Sequence, residues 1–302
     1  MKLEHQHVVS FSGGVCSFWA AARVIEQRGR ENVTLLFADT IIEDDDLYRF
    51  LFETVAWLGG RPTKFPTDIK LPGLDQMEAR KLALHQLFEF LHDRFPFFVR
   101  IADGRTPWEV FRAVRMIGNS RTDPCSKILK RELLDQWHRE NCFEFTTTLY
   151  VGLDWTENHR LVRLQARKPA WTIVAPMMVQ PWRDKRQMFC DLADIGIEAP
   201  ALYRMGFPHN NCGGFCVKAG QAHFAHLLRT MPDRYAFHEE QERQMRELVG
   251  DHGILKDLTG GETRQMSLRE FRELIEAGKE FDTLEWGGCG CAIDAPEEVK
   301  TP

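Results

Sequence analysis

Residues 7–17 read HVVSFSGGVCS and give the strongest indication of the fold. A β-branched run leads into the turn Ser12-Gly13-Gly14, and residues 15–27 then follow a helical pattern. Between a strand and a helix, small residues let backbone N–H groups close around phosphate oxygens at the positive end of the helix. No lysine follows the glycines, so this is not a Walker loop. The stretch predicts a phosphate-binding loop, and the alternative is a plain serine- and glycine-rich turn. The expected nucleotide contacts here are Ser10, Ser12, Gly13, Gly14 and Ser17.

Further apolar runs alternate with helical patterns along the first two thirds of the chain. The expected later strands are residues 33–38, a weaker 63–65, 145–152 and 172–175. Strands alternating with helices of about ten to fifteen residues indicate βαβ units. The sequence therefore predicts an α/β fold with a doubly wound, mostly parallel sheet. Asp39, Thr40 and Gly152 follow predicted strands, where such folds present groups to ribose or adenine, although Asp39 is equally suited to capping a turn.

The composition fits one large domain with an appended module. The chain has 302 residues, of which 43% are hydrophobic and 27% are charged, as in a soluble globular enzyme. Glycine, cysteine and histidine become concentrated near Gly206, so we expect a nucleotide-binding domain over 1–205 and a mainly helical, cysteine-rich region over 206–302.

The net charge of -5 requires any nucleic-acid partner to use a local basic patch. No apolar run is as long as a membrane span, and Met1 to His5 lacks a secretion-signal core, which predicts a cytoplasmic protein with no membrane partner.

Eight cysteines in a reducing compartment are better explained by metal binding or catalysis than by disulfides. Two close pairs lie in glycine-rich sequence, Cys212 with Cys216 and Cys289 with Cys291. Their four thiolates would converge on one metal centre. The spacings are atypical for zinc and favour a [4Fe-4S] cluster, with Zn²⁺ as the alternative metal and free buried thiols as the alternative without one. Cys142 and Cys190 lie in apolar helical patterns and are expected in the core.

A cationic cluster lies in residues 124–131, PCSKILKR. Lys127, Lys130 and Arg131 could neutralise phosphate or sulfate as charge develops, and a solvated basic surface is the alternative. The neighbouring Cys125 could be a nucleophile whose pKa the cations lower, or a substitute metal ligand. We therefore predict Cys125, Lys127 and Lys130 as catalytic residues and Arg131 as a nucleotide contact.

Four of these motifs together resemble a known superfamily. Residues 12–17 are similar to the SGGxDS signature of the PP-loop superfamily, with Cys16 in place of the common aspartate. Residues 37–40, 124–130 and 150–154 resemble motifs of its phosphoadenosine phosphosulfate (PAPS) reductase branch, as do Glu157 and Arg160, although these two are also spaced as a helical ion pair. The matches occur in the family's order over about the first 165 residues. Residues 206–220 resemble a block in PAPS-reductase-like proteins that are often found in phage genomes.

The resemblance implies a HUP-like fold that binds ATP or PAPS with Mg²⁺. One implied reaction adenylates a carbonyl oxygen of a nucleobase in tRNA or DNA, releases pyrophosphate and lets a sulfur donor displace AMP. The alternative is reduction of PAPS or adenylyl sulfate with a thiol reductant, but the ECGLH motif of those reductases is absent. A third reading is a non-catalytic module that binds nucleotide or nucleic acid. The sequence leaves the oligomeric state open, and a homodimer is one alternative.

Overall fold

The chain divides into two compact units. The computed structural model describes residues 5–257 and 263–287. One unit combines Met1–Gly104 with Glu132–Gly213, and the other combines Arg105–Arg131 with Gly214–Pro302. This division differs from the single boundary at 205/206 expected from the sequence. The difference arises because segment 105–131 packs its apolar side chains within the C-terminal unit.

The first unit contains a five-stranded sheet. Its strands are β1 Gln6–Ser10, β2 Val33–Asp39, β3 Phe98–Ala102, β4 Thr147–Val151 and β5 Thr172–Val174. They lie in the order β3-β2-β1-β4-β5, and all neighbouring pairs are parallel. The predicted parallel α/β sheet is thus confirmed. The strand predicted at 63–65 is wrong, because Pro62 and Pro66 flank it and lack the N–H groups that pair a strand.

Helices account for most of the remaining described residues. They are α1 Val15–Arg28, α2 Asp45–Leu58, α3 Met77–Arg94, α4 Pro107–Val114, α5 Pro124–Ser126, α6 Leu133–Asn141, α7 Asn158–Arg167, α8 Lys185–Asp194, α9 Ala201–Arg204, α10 Gln221–Thr230, α11 Pro232–Val249 and α12 Leu268–Glu276. Short 3-10 helices cover Arg30–Asn32, Trp155–Glu157, Pro176–Met178 and Cys212–Gly214, and a π-helix covers Lys127–Glu132. No helix of the described residues is long and apolar enough to cross a membrane.

The sheet of the first unit buries both of its faces. Alternate residues of a strand point to opposite faces. Val9 packs in one core cluster with side chains of α1, α2, α3 and α8, whereas its neighbour Val8 packs in a second cluster with side chains of α6 and α7. Helices therefore cover both faces of the parallel sheet, which is the arrangement of a doubly wound fold.

The C-terminal unit is built mainly from α4, α10, α11 and α12, with a two-stranded antiparallel sheet of β6 Leu255–Asp257 and β7 Arg264–Met266. Capping boxes at Thr106 and Ser267 begin α4 and α12. In the core of this unit, the Trp108 indole N–H donates to His238 Nδ1 at 2.9 Å, and the His238 ring stacks on Phe215 with centroids 3.6 Å apart. Segment 105–131 is therefore held to α11 by a buried aromatic cluster.

Glu242 on α11 should make the stability of the C-terminal unit depend on pH. Its buried carboxylate accepts from the backbone N–H of Ile254 at 2.9 Å and of Leu268 at 2.6 Å. Burial raises its pKa to about 7, which the two backbone N–H donors and Arg246 oppose and Glu270 assists. The pKa of Glu242 in the folded state exceeds its unfolded value of about 4.3. The stabilisation that Glu242 contributes is therefore complete below about pH 4.3. It is lost as the pH rises towards 7, by up to about 1.4 kcal/mol per pH unit.

We expect urea unfolding between pH 5 and pH 7 to show this loss in the parent and not in Glu242→Gln. Glu247→Gln is the matched control, because Glu247 lies on the same helix and is exposed. An equal pH dependence in the parent and Glu242→Gln would contradict the assignment.

Candidate functional site

The strand order of the first unit reverses between β1 and β4. From β1 the chain proceeds to β2 and β3 on one side, and from β4 it proceeds to β5 on the other. In open parallel sheets, ligands bind in the crevice outside the carboxyl ends of the strands at such a point. Here β1 leads into the glycine loop, residues 11–14, and β4 leads into Gly152. The predicted loop and Gly152 are thus brought to the same place.

The glycine loop and the first turn of α1 present a row of backbone donors. In the part of the chain that the structure describes, the five N–H groups of residues 13–17 have no protein acceptor. The N-cap residue Gly14 makes no side-chain cap, and no acidic residue lies in the first turn. No side chain of α1 itself compensates the positive end of its dipole, and free N–H groups at such an end bind anions.

Gly152 lies against the first turn of α1. A Cβ atom built on Gly152 would be 2.4 Å from Ser17 Cα and 2.6 Å from Ser17 N. These are backbone atoms that cannot move aside. Gly152 is therefore required for the close approach of β4 to the donor row, a role that the sequence indicated only through its position after a strand.

The serines of the loop have different roles. Ser17 is buried, and its hydroxyl donates to the Gly14 carbonyl at 2.8 Å, so it stabilises the turn. Ser12 is exposed and donates to Ser17 Oγ at 3.3 Å, a weak bond that a ligand could replace. Ser10 is the partly buried last residue of β1.

Cys16 occupies the second position of α1 as a neutral thiol. Burial raises the pKa of this thiol to about 12, and the carboxylates of Asp154 and Glu157 act in the same direction, while Lys185 opposes them. At neutral pH the thiol is therefore protonated. It neither repels an anion bound to the loop nor serves as a nucleophile.

Lys185 is a cation of this region that the sequence analysis missed. Its Nζ donates to the Pro208 carbonyl at 2.6 Å and lies 4.6 Å from the centroid of the Tyr203 ring. Lys185 is exposed, but desolvation by neighbouring groups lowers the pKa of its ammonium group, whereas the carboxylates of Glu157 and Asp154 raise it. In the sequence, Lys185 is distinguished only by its position at the start of a helix. The fold brings it close to Cys16 and Asp154, which are distant along the chain.

Asn210 holds the glycine loop from the far end of the unit's sequence. The side chain is 1% exposed, and Nδ2 donates to the Gly13 carbonyl at 2.9 Å. Its Oδ1 is buried, and no hydrogen-bond partner for it is found among the described residues. Asn210 therefore fixes the orientation of the peptide that follows Gly13 in the donor row.

Asn210→Ala is expected to weaken anion binding by about five- to tenfold, because one hydrogen bond of about 1 kcal/mol orients the loop. Isothermal titration with ATP and with pyrophosphate would measure the change. The matched control is Asn141→Ala, which removes an amide–carbonyl bond of the same 2.9 Å length on the surface. If both variants bind like the parent, Asn210 does not position the loop.

Asp39 and Thr40 are used within the protein. The Asp39 carboxylate accepts from Ile41 N at 2.8 Å, Tyr48 Oη at 2.9 Å and the Arg100 guanidinium at 2.7 and 2.9 Å. These donors occupy both oxygens, and the residue is buried. The Thr40 hydroxyl donates to Glu43 Oε1 at 2.9 Å. In this structure the pair stabilises the loop after β2, which corresponds to the turn-capping alternative for Asp39.

Residues 124–131 form a helical segment with an uncommon turn. The π-helix Lys127–Glu132 interrupts the run from α5 to α6, and such turns occur often at functional sites. Arg131 is buried and forms an ion pair with Asp123 at 3.1 Å, so its guanidinium has a structural partner. Lys127 is exposed and Lys130 is buried, while Cys125 is partly exposed. The catalytic roles of these three residues remain predictions.

The predicted metal ligands are only partly within the described residues. Cys212 is partly exposed and Cys216 is buried, whereas Cys289 and Cys291 lie outside the described ranges. Among residues 5–257 and 263–287, no group of three or more histidine, cysteine or acidic side chains is arranged to hold a metal ion. The four-cysteine site therefore remains a prediction.

The two cysteines expected in the core differ. Cys142 is buried, as predicted, but Cys190 is exposed on α8, so its prediction was wrong. The helical pattern around Cys190 was correct, but α8 buries other residues, Met188 and Leu192, on the face that packs on the sheet.

Cys212 has a strained backbone that Glu43 stabilises. Its φ of 52° lies in the left-handed region, which a residue with a side chain seldom adopts. The buried Glu43 accepts from the Cys212 N–H, and Arg80 donates to the Glu43 carbonyl at 2.9 Å. Strain of this kind is concentrated at functional sites.

In comparisons with known proteins, no family profile matches the chain, and no curated protein matches it significantly. The resemblance to the PP-loop superfamily therefore depends on the motifs and their order.

Proposed function

We propose that this protein is a PP-loop-type enzyme that binds ATP or a related adenine nucleotide and performs adenylation-dependent sulfur or group transfer to a nucleobase. The observation that carries the proposal is the row of five backbone N–H groups without acceptors, located where the strand order reverses. A row of this kind recognises phosphate through hydrogen bonds that need no basic side chain.

The residues around the loop fit the charge of a nucleotide. The donor row and Lys185 supply positive potential, and Cys16 adds no negative charge because its thiol is protonated. Mg²⁺ bound to a nucleotide generally uses one or two carboxylates together with the phosphates. Asp154, which follows β4 and whose Oδ1 accepts from Thr156 N at 2.9 Å, is the carboxylate that would hold this ion in the proposed site.

The proposed reaction has two steps. The carbonyl oxygen of the acceptor attacks the α-phosphorus, and the bond to the bridging oxygen breaks to release pyrophosphate. A sulfur donor then forms a carbon–sulfur bond, and AMP leaves with the electrons of the carbon–oxygen bond. Backbone donors directed at the leaving pyrophosphate stabilise the charge that grows during the first step. Cys125, Lys127 and Lys130 are retained as proposed catalytic residues.

Titration calorimetry with ATP, PAPS, GTP and pyrophosphate tests the nucleotide site. We expect ATP or PAPS to bind, pyrophosphate to compete, and GTP to bind more weakly because the family recognises adenine. The proposal fails if ATP, PAPS and pyrophosphate all fail to bind. Release of sulfite from PAPS without ATP would instead establish the reductase alternative.

The proposed [4Fe-4S] cluster requires a separate measurement. Serine variants of Cys212, Cys216, Cys289 and Cys291 should each lower iron and sulfide content after anaerobic purification, because a cluster needs all of its thiolates. Cys190→Ser is the matched control, since Cys190 is exposed on a helix. Zinc in place of iron would identify the alternative metal. Full metal content in a Cys289→Ser, Cys291→Ser double variant would exclude the four-cysteine site.

A further inference from the structure

Two hydroxyl groups lie beside Gly14, at the start of the donor row. A Cβ atom built on Gly14 would be 3.4 Å from Tyr203 Oη and 3.6 Å from Ser12 Oγ. Tyr203 belongs to α9, which lies in the first unit but outside the motifs that resemble the PP-loop superfamily. A distant part of the chain therefore brings a side-chain hydroxyl to the glycine loop.

The position of Tyr203 is fixed by contacts with two other helices. The backbone N–H of Ala201, which begins α9, donates to the Asp46 carboxylate of α2 at 2.6 Å, and Arg49 donates to the same carboxylate at 2.5 and 2.9 Å. The Tyr203 ring packs on Phe189 of α8, with ring centroids 5.2 Å apart. The hydroxyl is therefore positioned before a ligand binds, which lowers the entropy cost of a contact with it.

Lys185 places a positive charge on the same tyrosine. Its Nζ lies 4.6 Å from the centroid of the Tyr203 ring, which is within the range of a cation–π contact. The helix that Lys185 begins is held to α1, because the Trp19 indole N–H donates to the Met188 carbonyl at 3.0 Å. The ammonium group therefore contacts the ring whose hydroxyl lies at the glycine loop.

Asn210 gives a second indication of a ligand at this loop. The side chain is 1% exposed, its Nδ2 donates to the Gly13 carbonyl at 2.9 Å, and no partner for its Oδ1 is found within the described ranges. Buried polar atoms are nearly always hydrogen-bonded in folded proteins. The Oδ1 atom therefore indicates that a bound group, such as a water molecule on a phosphate, supplies a donor next to Gly13.

We propose that Tyr203 is a phosphate-binding residue: its hydroxyl and that of Ser12 donate to oxygens of the phosphate that the donor row holds, and Lys185 is a positioning residue that holds the tyrosine ring. This inference rests on the proposed function, because it assigns further contacts to the same nucleotide. A hydrogen bond to an ionised acceptor is about twice as strong as one between neutral groups. The helices α8 and α9 thus supply side-chain contacts to a loop that otherwise binds through its backbone.

Tyr203→Phe removes the proposed contact and keeps the ring. Pyrophosphate and ATP should bind at least about tenfold more weakly in titration calorimetry, the loss expected for one hydrogen bond to a charged group. The matched control is Tyr235→Phe, because the Tyr235 hydroxyl donates to the Leu268 carbonyl at 2.6 Å in the C-terminal unit. The control should lower the midpoint of thermal unfolding more than Tyr203→Phe does, and it should bind pyrophosphate like the parent.

The role of Lys185 is tested through its charge. Lys185→Met should lower the affinity for pyrophosphate about three- to tenfold at low ionic strength, and the difference should shrink as salt screens this exposed group. Lys185→Arg should restore the parent affinity, because a guanidinium group also stacks on an aromatic ring. Arg186→Met is the matched control, since Arg186 is exposed at the next position of α8.

A methyl group at Gly14 tests whether the ligand lies against the two hydroxyls. Gly14 has a φ of -96° and a ψ of 157°, which suit any residue, and the methyl would meet both hydroxyls at ordinary van der Waals distances, so Gly14→Ala should fold. The methyl would occupy the place of a phosphate oxygen and weaken pyrophosphate binding at least about tenfold. In the double variant with Tyr203→Phe, the two losses should not add, because both remove the same contact.

Three outcomes would overturn the inference: parent-like binding of pyrophosphate by Tyr203→Phe, a loss no greater than that of Tyr235→Phe, or additive losses in the double variant with Gly14→Ala. An equal loss in Lys185→Met and Arg186→Met would overturn the positioning role. A parent protein that binds ATP no better than Tyr203→Phe refutes this inference alone, whereas a parent that binds neither ATP, PAPS nor pyrophosphate refutes the proposed function.

Discussion

Replacing Gly13 by valine is expected to weaken ATP and pyrophosphate binding by at least about 100-fold. Gly13 has a φ of 75°, a conformation that a β-branched residue adopts only with strain, and its Cβ would lie 3.0 Å from the buried Leu47 side chain. To relieve the backbone strain and the close contact with Leu47, the chain must rotate the peptides of the donor row. Loss of two hydrogen bonds to a charged ligand, each contributing about 1.5–3 kcal/mol, accounts for the expected factor.

Gly196→Val separates local strain from loss of the site. Gly196 has nearly the same φ of 74°, but a Cβ there would meet nothing within 4 Å. Both variants should lose some stability, and only Gly13→Val should lose binding. Titration calorimetry and thermal unfolding of the two proteins provide the comparison. Retention of parent-like affinity by Gly13→Val would show that the glycine loop does not bind phosphate.

Gly152→Ala should lower both stability and nucleotide affinity. The added methyl group would lie 2.4–2.8 Å from three atoms of Ser17, so the carboxyl end of β4 must separate from α1. Overpacking of this kind costs about 1–3 kcal/mol, which corresponds to a fall of several degrees in the unfolding midpoint. The displaced first turn should also bind ATP at least about tenfold more weakly, because its N–H groups no longer converge.

The matched control is Gly73→Ala. A Cβ at Gly73 would also lie 2.4 Å from another atom, but that atom is Oδ1 of the Asp75 side chain, which can rotate away. Gly73 is exposed, so the substitution should change neither property appreciably. Calorimetric unfolding and ATP titration would show the difference. If Gly152→Ala matches its control in both measurements, β4 does not support the donor row.

Elements with strong local signals could be predicted from the sequence. The helix expected over 15–27 extends over Val15–Arg28, and α11 likewise begins with Pro232 and ends just before Gly250. In each helix, the residues that mark its start and its end lie within a few positions of the observed ends. The strand β3 was missed because the aromatic pattern of α3 continues into it. Pro96, just after α3, was the signal that could have separated them.

The site could be predicted only in part, because its supporting contacts join distant positions. The glycine loop was identified from eleven consecutive residues. Asn210 holds Gly13 across 197 positions, and no local pattern indicates such a contact. For Asp39, the strand-end position was identified correctly, but Arg100 reaches it from a strand that had not been predicted. Prediction therefore succeeded for backbone features and failed where side chains from separate elements determine the role.

The pairing of Trp108 with His238 has a consequence for the order in which the protein folds during synthesis. The two residues are 130 positions apart. At about 5–20 residues per second, the ribosome adds His238 roughly 6.5–26 s after it has added Trp108. During that interval the apolar side chains of segment 105–131, among them Val110 and Phe111, have no α11 to pack against. A nascent or truncated chain that stops near Gly213 would therefore expose them, which makes it a substrate for chaperones and prone to aggregation.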